Sequence, residues 1–230
     1  MPIPVAAAAP STGLRRHSLR DDAADVIRAQ IVSGELQPGT LYAIGQIAEM
    51  LQVSITPIRE ALLDLAKDGL IETVRNRGFR VRVLTDADLD QILQIRQMLE
   101  VGAVRQITAQ GRVDDFAVLR DLADRTQQAV FAEDLIGFLA NDRQLHLTLL
   151  TYLDNPRLVD FVGQLRDQTR LYGLDHLAGT QALLETVREH DELLDAVEAG
   201  RTEDAVEVMS RHLKHARGIW AGRAESKSAD

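Results

Sequence analysis

The stretch Val53-Ser-Ile-Thr-Pro-Ile-Arg-Glu-Ala-Leu62 decides how the first part of this 230-residue chain folds. Ser54 or Thr56 can cap a helix, and Pro57 suits its first turn because an N–H there would have no partner. Gly69 then stops the helix. Hydroxyl side chains and backbone N–H groups at a helix N-terminus can meet a phosphate, so this helix is a candidate for contact with DNA. An ordinary capped helix gives the same local pattern, because helix-turn-helix spacings are loose.

The segments on both sides of this helix predict a winged helix-turn-helix over residues 18–84. A capping box at Ser18-Leu-Arg-Asp21 starts a first helix that ends at Gly34, and a short second helix spans about 44–51. After the third helix, two β-like runs flank a turn-forming segment that is rich in arginine. The runs are 70–74 and 79–83, and the segment between them is Arg75-Asn-Arg-Gly78.

A few residues of this predicted head are expected to contact DNA. Arg59 lies one turn into the third helix and could reach a phosphate or a guanine edge. Gly78 gives the hairpin a tight turn and lets a backbone approach closely, while Ala61, Leu62 and Leu65 face back into the core. The predicted DNA-binding residues are Ser54, Thr56, Arg59, Arg77 and Gly78.

The distribution of charge matters more than its total, which is −9. Between Ser11 and Arg82 the net charge is +1, while the remainder of the chain carries −10. An acidic bulk repels phosphate, so any contact with DNA has to come from the N-terminal part. Two clusters could supply the positive charge, namely Arg15, Arg16, His17 and Arg20, and later Arg75, Arg77, Arg80 and Arg82.

Composition narrows the class of protein further. The chain is 45% hydrophobic but only 4% aromatic, which favours helices with cores of Leu, Ile, Val and Ala. It has no cysteine, so disulfides, thiolate metal ligands and a cysteine nucleophile are excluded. No apolar run approaches the ~18 residues of a membrane span, and no signal peptide is evident, so we predict a cytoplasmic protein. Residues 1–17 and 223–230 are predicted to be disordered tails.

Residues 85–222 are predicted to form an all-α antiparallel helical bundle, which makes the fold mainly α. A capping box at Thr85-x-x-Asp88 opens it, and no strand is expected after about Val83. Asp154-Asn-Pro156 and Gly200 are breaks between later helices. The helices are predicted near 86–110, 113–130, 132–153, 156–174, 179–199 and 202–222.

Polar residues interrupt the apolar stripes of three of these helices. Asp142 and His146 lie four residues apart on the core-facing stripe of one helix, so they share a face. His190 and His212 occupy similar stripe positions on the two later helices. A buried carboxylate without a partner is costly, and a divalent cation would satisfy all four side chains at once.

The donor set of Asp142, His146, His190 and His212 suits Zn²⁺, and also Ni²⁺, Mn²⁺ or Fe²⁺. His215 lies close to His212 along the chain and is a substitute ligand. Each histidine alone could instead be an ordinary core or surface residue. A site with an open position could also activate water in a metal-dependent hydrolase, although no separate general base stands out. Four protein ligands could equally close the shell and leave a purely structural metal.

The N-terminal motifs resemble the DNA-binding domain of the GntR family of bacterial transcription regulators. The resemblance runs from about Ser18 to Val83 and includes Ile31-x-x-Gly34-x-Leu-x-Pro-Gly39 ahead of the third helix. Many members of the family carry arginine where this chain has Ile55, and some carry arginine where it has Gly45, which implies a different operator.

The region from about Asp86 to Ala221 resembles the helical ligand-sensing (FCD) domain of FadR-type GntR regulators. The motifs that carry the resemblance are Asp142-x-x-Leu-His146, Glu189-His190-x-x-Leu-Leu-x-Ala196-x-x-x-Gly200 and Met209-x-x-His212-Leu. The resemblance implies that this Asp/His/His/His set binds a metal inside the bundle. It also implies a regulator and not an enzyme.

Arg96 stands in the pattern Arg96-x-x-Leu-Glu100, which in the family borders the cavity. Its guanidinium could hold the carboxylate of an effector, so a small organic acid is the predicted ligand. An i, i+4 pair with Glu100 on a partly exposed face is the alternative. The regulator is expected to bind a roughly palindromic double-stranded operator as a homodimer.

Overall fold

The computed structural model describes residues 18–169 and 181–220. The first part is a three-helix head with a small sheet, as the sequence predicts. Its helices and strands are α1 (Leu19–Val32), β1 (Leu41–Tyr42), α2 (Ile44–Met50), α3 (Ile55–Lys67), β2 (Ile71–Val74) and β3 (Gly78–Val81). The two predicted tails, residues 1–17 and 223–230, lie outside the described residues.

Local signals place the helices of the head. The capping box predicted at Ser18 is present, because the Ser18 hydroxyl accepts from the Asp21 N–H and the Asp21 carboxylate accepts from the Ser18 N–H. Ser54 is the N-cap residue of α3, but its side chain makes no capping hydrogen bond. The inner face of the head is apolar, with Ile27, Ile58 and Phe79 fully buried.

The sheet has three antiparallel strands in the order β1-β3-β2, one more than the sequence predicts. The strand that the sequence did not predict is β1, because its two residues are too few to show the alternation that marks a strand. Gly78 is required where β3 meets β1, because it has φ of +132° and a Cβ there would lie 1.9 Å from the Tyr42 carbonyl oxygen. We call the hairpin of β2 and β3, with its connecting turn, the wing.

Most of the remaining described residues are helical, and none of them forms a strand. The capping box predicted at Thr85 and Asp88 is present at the start of the first of these helices. The helices are α4 (Asp86–Arg96), α5 (Gly102–Ala109), α6 (Ala117–Phe131), α7 (Leu135–Thr151), α8 (Pro156–Thr169), α9 (Gln181–Glu198) and α10 (Thr202–Trp220). The single helix expected over 86–110 is interrupted by a π-helical turn at Gln97–Val101, which joins α4 to α5. The division at residues 84 and 85 into two domains stays a prediction.

The helices pack as neighbours around one interior. Helix α6 packs against α7 and α9, and α10 packs against α9, α5 and α4. Helix α8 lies against α7 and α4. The buried apolar residues form separate clusters on each side of a polar centre, with Leu149, Leu194 and Met209 in one and Leu139 and Val187 in another.

Candidate metal centre and DNA-binding face

Three helices bring the four predicted ligands together inside the bundle. Asp142 and His146 lie one turn apart on α7, His190 lies on α9, and His212 lies on α10. All four side chains are buried, and each offers a ligand atom within 4.8 Å of the others. The polar residues that interrupt the three apolar stripes therefore meet at one place inside the bundle.

The distances between these atoms are short. His146 Nε2 lies 3.0 Å from His212 Nε2, and Asp142 Oδ1 lies 3.3 Å from His190 Nε2 and 3.7 Å from His146 Nε2. Donor atoms about 2.1 Å from a metal lie roughly 3.0–3.4 Å apart in octahedral and tetrahedral shells. Two of these three separations fall within that range and the third, at 3.7 Å, is slightly longer, so the arrangement is compatible with a single divalent ion.

Two of the site histidines, His146 and His212, favour the neutral form that a metal ligand needs. Burial lowers the pKa of His146 well below its usual range, and the positive charge of Arg166 adds to this effect. Burial also lowers the pKa of His212. His212 Nδ1 lies 3.2 Å from Glu189 Oε2. Because an ionised carboxylate can only accept, Nδ1 carries the proton and Nε2 presents a lone pair to the centre.

Unsatisfied polar atoms around the centre support a cation. His190 is fully buried, and neither of its ring nitrogens has a hydrogen-bond partner among the described residues. His146 Nδ1 lies 3.3 Å from Glu100 Oε2 but is not aligned for a hydrogen bond. Buried polar atoms are normally satisfied, so an unpartnered set of imidazole nitrogens beside a carboxylate fits a metal site better than a closed hydrogen-bond network.

Three charged residues next to the ligands were missed as site residues by the sequence analysis. They are Glu100 in the π-helical turn, Arg166 on α8 and Glu189 on α9. All three are at least 96% buried, with exposures of 0%, 3% and 4%. Arg166 lies four residues after the buried Val162, and that spacing was an available signal.

Arg166 links the two buried carboxylates. Its Nη2 donates to Asp142 Oδ2 at 2.6 Å, and its Nη1 donates to Glu100 Oε2 at 3.0 Å. Burial alone would raise the pKa of Glu100, but Arg96 and Arg166 outweigh it and hold that pKa well below the ordinary value. Asp142 therefore binds Arg166 through Oδ2 and directs Oδ1 toward the histidines.

Arg96 is buried, and its Nε donates to Glu100 Oε1 at 2.6 Å. The structure thus contains the i, i+4 pair that the sequence offers as the alternative, although inside the protein and not on a partly exposed face. Arg96 also lines a small cavity with Leu93, Thr169 and Arg217. Its role toward an effector stays a prediction.

His215, the substitute ligand, is not part of the cluster of four. Its Nδ1 lies 2.6 Å from Glu189 Oε1, and its side chain is 26% exposed. Arg211 Nε also donates to Glu189 Oε1, at 2.9 Å. Burial would raise the pKa of Glu189, but the hydrogen bonds from His212 and Arg211 hold it below the ordinary value. Glu189 therefore acts as an ionised support behind His212.

The DNA-binding residues predicted in the head are accessible, and three of them line the same groove. Ser54, Thr56, Arg59 and Arg77 are exposed, and Gly78 is half-buried. Arg59, Arg77 and Gly78 line an open groove of about 730 Å³ between α3 and the wing.

The two basic clusters predicted from the sequence differ in their surroundings. Arg20 is paired with Asp64 on α3, while the other three members of its cluster lie outside the described residues. In the wing, Arg75 and Arg77 line the groove. Ile55 stands at the start of α3 and is 46% exposed, so an apolar side chain faces out where the family resemblance places arginine.

A helix-turn-helix head with an arginine-lined wing, attached to a helical domain with a buried polar centre, defines a DNA-binding transcription regulator. Two family models match the sequence. "Bacterial regulatory proteins, gntR family" matches residues 19–81, and "FCD domain" matches residues 91–215. The chain belongs to the GntR family of bacterial regulators and carries an FCD domain.

Similar proteins agree with this assignment. The HTH-type transcriptional regulator McbR of Escherichia coli is 29% identical over 211 residues, which cover 89% of this chain and 96% of McbR. The HTH-type transcriptional regulator LutR of Bacillus subtilis is 28% identical, with 85% of this chain and 98% of LutR covered. The solved structure of E. coli McbR/YncC superposes with a TM-score of 0.78 at 27% identity, covering 89% of this chain and 98% of that one. Within the described residues, no helix combines the length and hydropathy needed to cross a bilayer.

Proposed function

We propose that this regulator binds a divalent metal, with Zn²⁺ as the first candidate, at Asp142, His146, His190 and His212. The observation that carries the proposal is the convergence of these four buried ligand atoms within 4.8 Å. A bound metal would supply a Lewis-acidic coordination site inside the bundle. Asp142 Oδ1 and His190 Nε2 are already turned toward each other, at 3.3 Å.

We further propose that the ligand of this domain is a small organic acid. Two buried arginines, Arg96 and Arg166, lie beside the centre, where they pair with Glu100 and Asp142, and a guanidinium is a group suited to binding a carboxylate. The Nε atom of Arg166 is buried and has no hydrogen-bond partner within residues 18–169 and 181–220, so this guanidinium retains an unused donor. An acid bound there would meet both positive charge and an open metal position.

In the head, Arg59 and Arg77 are proposed to contact a double-stranded operator, with α3 in the major groove and the wing beside it. Two copies arranged as a homodimer would place two α3 helices on a palindromic site. The acid would alter the relative position of the two heads and thereby operator affinity.

A purely structural metal is the second candidate, because four protein ligands can close a tetrahedral shell without an open position. The two possibilities differ in their response to acids. A structural metal would leave DNA affinity insensitive to added carboxylates.

The test is a fluorescence anisotropy titration of the full chain on a duplex enriched from a random library. It is run with Zn²⁺ or with EDTA, in the presence and absence of a panel of small mono-, di- and tricarboxylates. The proposal expects at least one acid to shift the Kd roughly 5-fold or more when Zn²⁺ is present, within the usual range of coupling between sites. His190→Ala should abolish that shift. A lack of sequence-specific DNA binding under every condition would contradict the proposed recognition of an operator.

A further inference from the structure

Three consecutive residues near the end of α8 contact two different parts of the molecule. Arg166 lies in the buried centre, where it holds Asp142 and Glu100. Asp167 and Gln168 instead contact the DNA-binding head. The end of α8 therefore joins the candidate metal centre to the head over a distance of one helical turn.

At the centre, the carboxylate of Asp142 is shared. Its Oδ1 faces His190 Nε2 at 3.3 Å, and its Oδ2 accepts from Arg166 Nη2 at 2.6 Å. Arg166 is 3% exposed and is held at its other end by Glu100. A buried ion pair of this kind cannot lose one partner cheaply, because the remaining charge would be left uncompensated. Any displacement of Asp142 is therefore passed to Arg166.

At the head, Asp167 is the shared group. Its Oδ2 accepts from Arg28 Nη1 of α1 at 2.9 Å, and its Oδ1 accepts from Arg143 Nε of α7 at 2.7 Å. Arg28 Nη2 also donates to Asp68 Oδ2 at 2.9 Å, and Asp68 is the C-cap residue of α3. Asp167 is only 3% exposed, so the helix carrying Arg28 is tied to α8 by a buried carboxylate.

Gln168 adds a second tie at the same place. Its side-chain Nε2 donates to the Asp68 backbone carbonyl at 2.8 Å, at the C-terminal end of the helix that is proposed to enter the major groove. A Cβ at Gly69 would lie 2.8 Å from the same Nε2 atom, and Gly69 has φ of +75°. The contact between Gln168 and the end of α3 therefore depends on the absence of a side chain at Gly69.

We infer that the end of α8 is a mechanical link through which the position of Asp142 controls the orientation of α1 and α3. Arg166 is the positioning residue at the metal centre, and Asp167 with Gln168 is its connection to the head. Neighbouring residues of a helix move together, and packed interiors transmit small shifts instead of absorbing them. This inference rests on the proposed metal site and adds the route by which that site would act on DNA binding.

Hydrogen exchange of the full-length protein tests the link, with Zn²⁺ alone as the probe. In the wild-type chain, Zn²⁺ is expected to change the exchange of amides in α1 and α3 by roughly 5-fold or more, as for typical coupling between sites. In Arg28→Ala the same change should fall below about 2-fold, while the change in α7 and α9 around the ligands is retained.

Arg20→Ala is the matched control. Arg20 also lies on α1 and also pairs with an aspartate of α3, but the other partner of this Asp64 is Lys67 of α3 itself, not a residue of α8. Arg20→Ala should keep the response of the head to Zn²⁺. Asp167→Asn is the second variant, with the same expectation as Arg28→Ala, and it removes the charge from the other side of the contact.

The outcomes separate the link from the proposed function. Zn²⁺ uptake by the wild-type chain, followed by equal head responses in wild type, Arg28→Ala and Asp167→Asn, would overturn the link alone. Uptake with no response of the wild-type head would also overturn it. Failure of the wild-type chain to take up Zn²⁺ would overturn the proposed metal site, and the link with it.

Discussion

Arg96 and Glu100 form an ion pair that is almost completely withdrawn from solvent, with 2.6 Å between Arg96 Nε and Glu100 Oε1 and side-chain exposures of 6% and 1%. The pair spans the junction between α4 and the π-helical turn. Because Glu100 also accepts from Arg166, this pair supports the whole arrangement around Asp142. Arg96 is thus a structural residue, whatever role it has toward an effector.

Replacing Arg96 by alanine is expected to destabilise the protein substantially. Loss of one partner leaves Glu100 buried with Arg166 alone, and the breaking of such a pair costs about 3 kcal/mol. The measurement is the free energy of unfolding in urea. The matched control is Arg125→Ala, since Arg125 forms an i, i+4 pair with Asp121 that is more than half exposed and that is worth roughly 0.3–0.5 kcal/mol. A loss below about 1 kcal/mol for Arg96→Ala would show that the buried pair contributes little.

Glu189→Gln is expected to weaken Zn²⁺ binding by about 10- to 100-fold, the usual effect of removing a carboxylate behind a ligand histidine. Glu189 accepts from His212 Nδ1, and so fixes the ring with Nε2 toward the centre. Glu192→Gln is the control, because Glu192 binds the same Arg211 but is half exposed and does not contact a ligand. Competition with a chromophoric chelator measures both affinities. Equal affinities would contradict the positioning role of Glu189.

The metal-free protein is expected to lose stability as the pH falls from 7.5 to 5.5. Burial lowers the pKa of His146 and His212 in the folded state, whereas both have a pKa of about 6.5 when unfolded. Below that value the unfolded chain binds protons that the folded chain does not, so the free energy of unfolding decreases by up to about 1.4 kcal/mol per pH unit for each histidine.

Urea unfolding in EDTA at several pH values checks this dependence. Glu100 and Glu189 have lowered pKa values, so their contributions are lost only at lower pH, when carboxylates of the unfolded chain become protonated. Above pH 5.5 these two carboxylates therefore do not contribute to the pH dependence, which reports on His146 and His212. His146→Asn and His212→Asn should each reduce the slope. A free energy of unfolding that stays constant across this interval would contradict the burial of neutral histidines.

Much of the fold and the four candidate ligands could be predicted from the sequence, because both depend on helical periodicity. Asp142 and His146 are four residues apart on an apolar stripe, and His190 and His212 interrupt similar stripes, so their burial follows from position. Capping boxes at Ser18 and Thr85 were also predicted, since these motifs are local.

The features that were not predicted depend on tertiary contacts. The π-helical turn at Gln97–Val101 adds one residue to a helical turn and leaves the apolar pattern almost unchanged. Strand β1 exists because Leu41 and Tyr42 pair with β3, not because of any periodicity of their own. Arginine is usually found at the surface of a protein. Arg166 can be buried because it pairs with Asp142 and Glu100, which lie elsewhere in the sequence.

Arg59→Ala is expected to reduce DNA affinity by about 1–3 kcal/mol and to lower the salt dependence if the contact is to phosphate. Arg59 is exposed beside the wing and lines the same groove as Arg77. Arg105→Ala is the control, because Arg105 pairs with Glu203 on the surface of the helical domain. Fluorescence anisotropy on the library-enriched duplex measures both variants. Unchanged affinity for Arg59→Ala would remove this face from the DNA interface.

The central claim is that side chains from three helices hold one divalent metal ion. Anomalous diffraction from crystals of the full chain grown with Zn²⁺, recorded above and below the zinc edge, tests it most directly. We predict one strong peak about 2.0–2.2 Å from Asp142 Oδ1 and from Nε2 of His146, His190 and His212. Density at this centre without an anomalous signal, or a zinc peak bound only elsewhere on the chain, would contradict the claim.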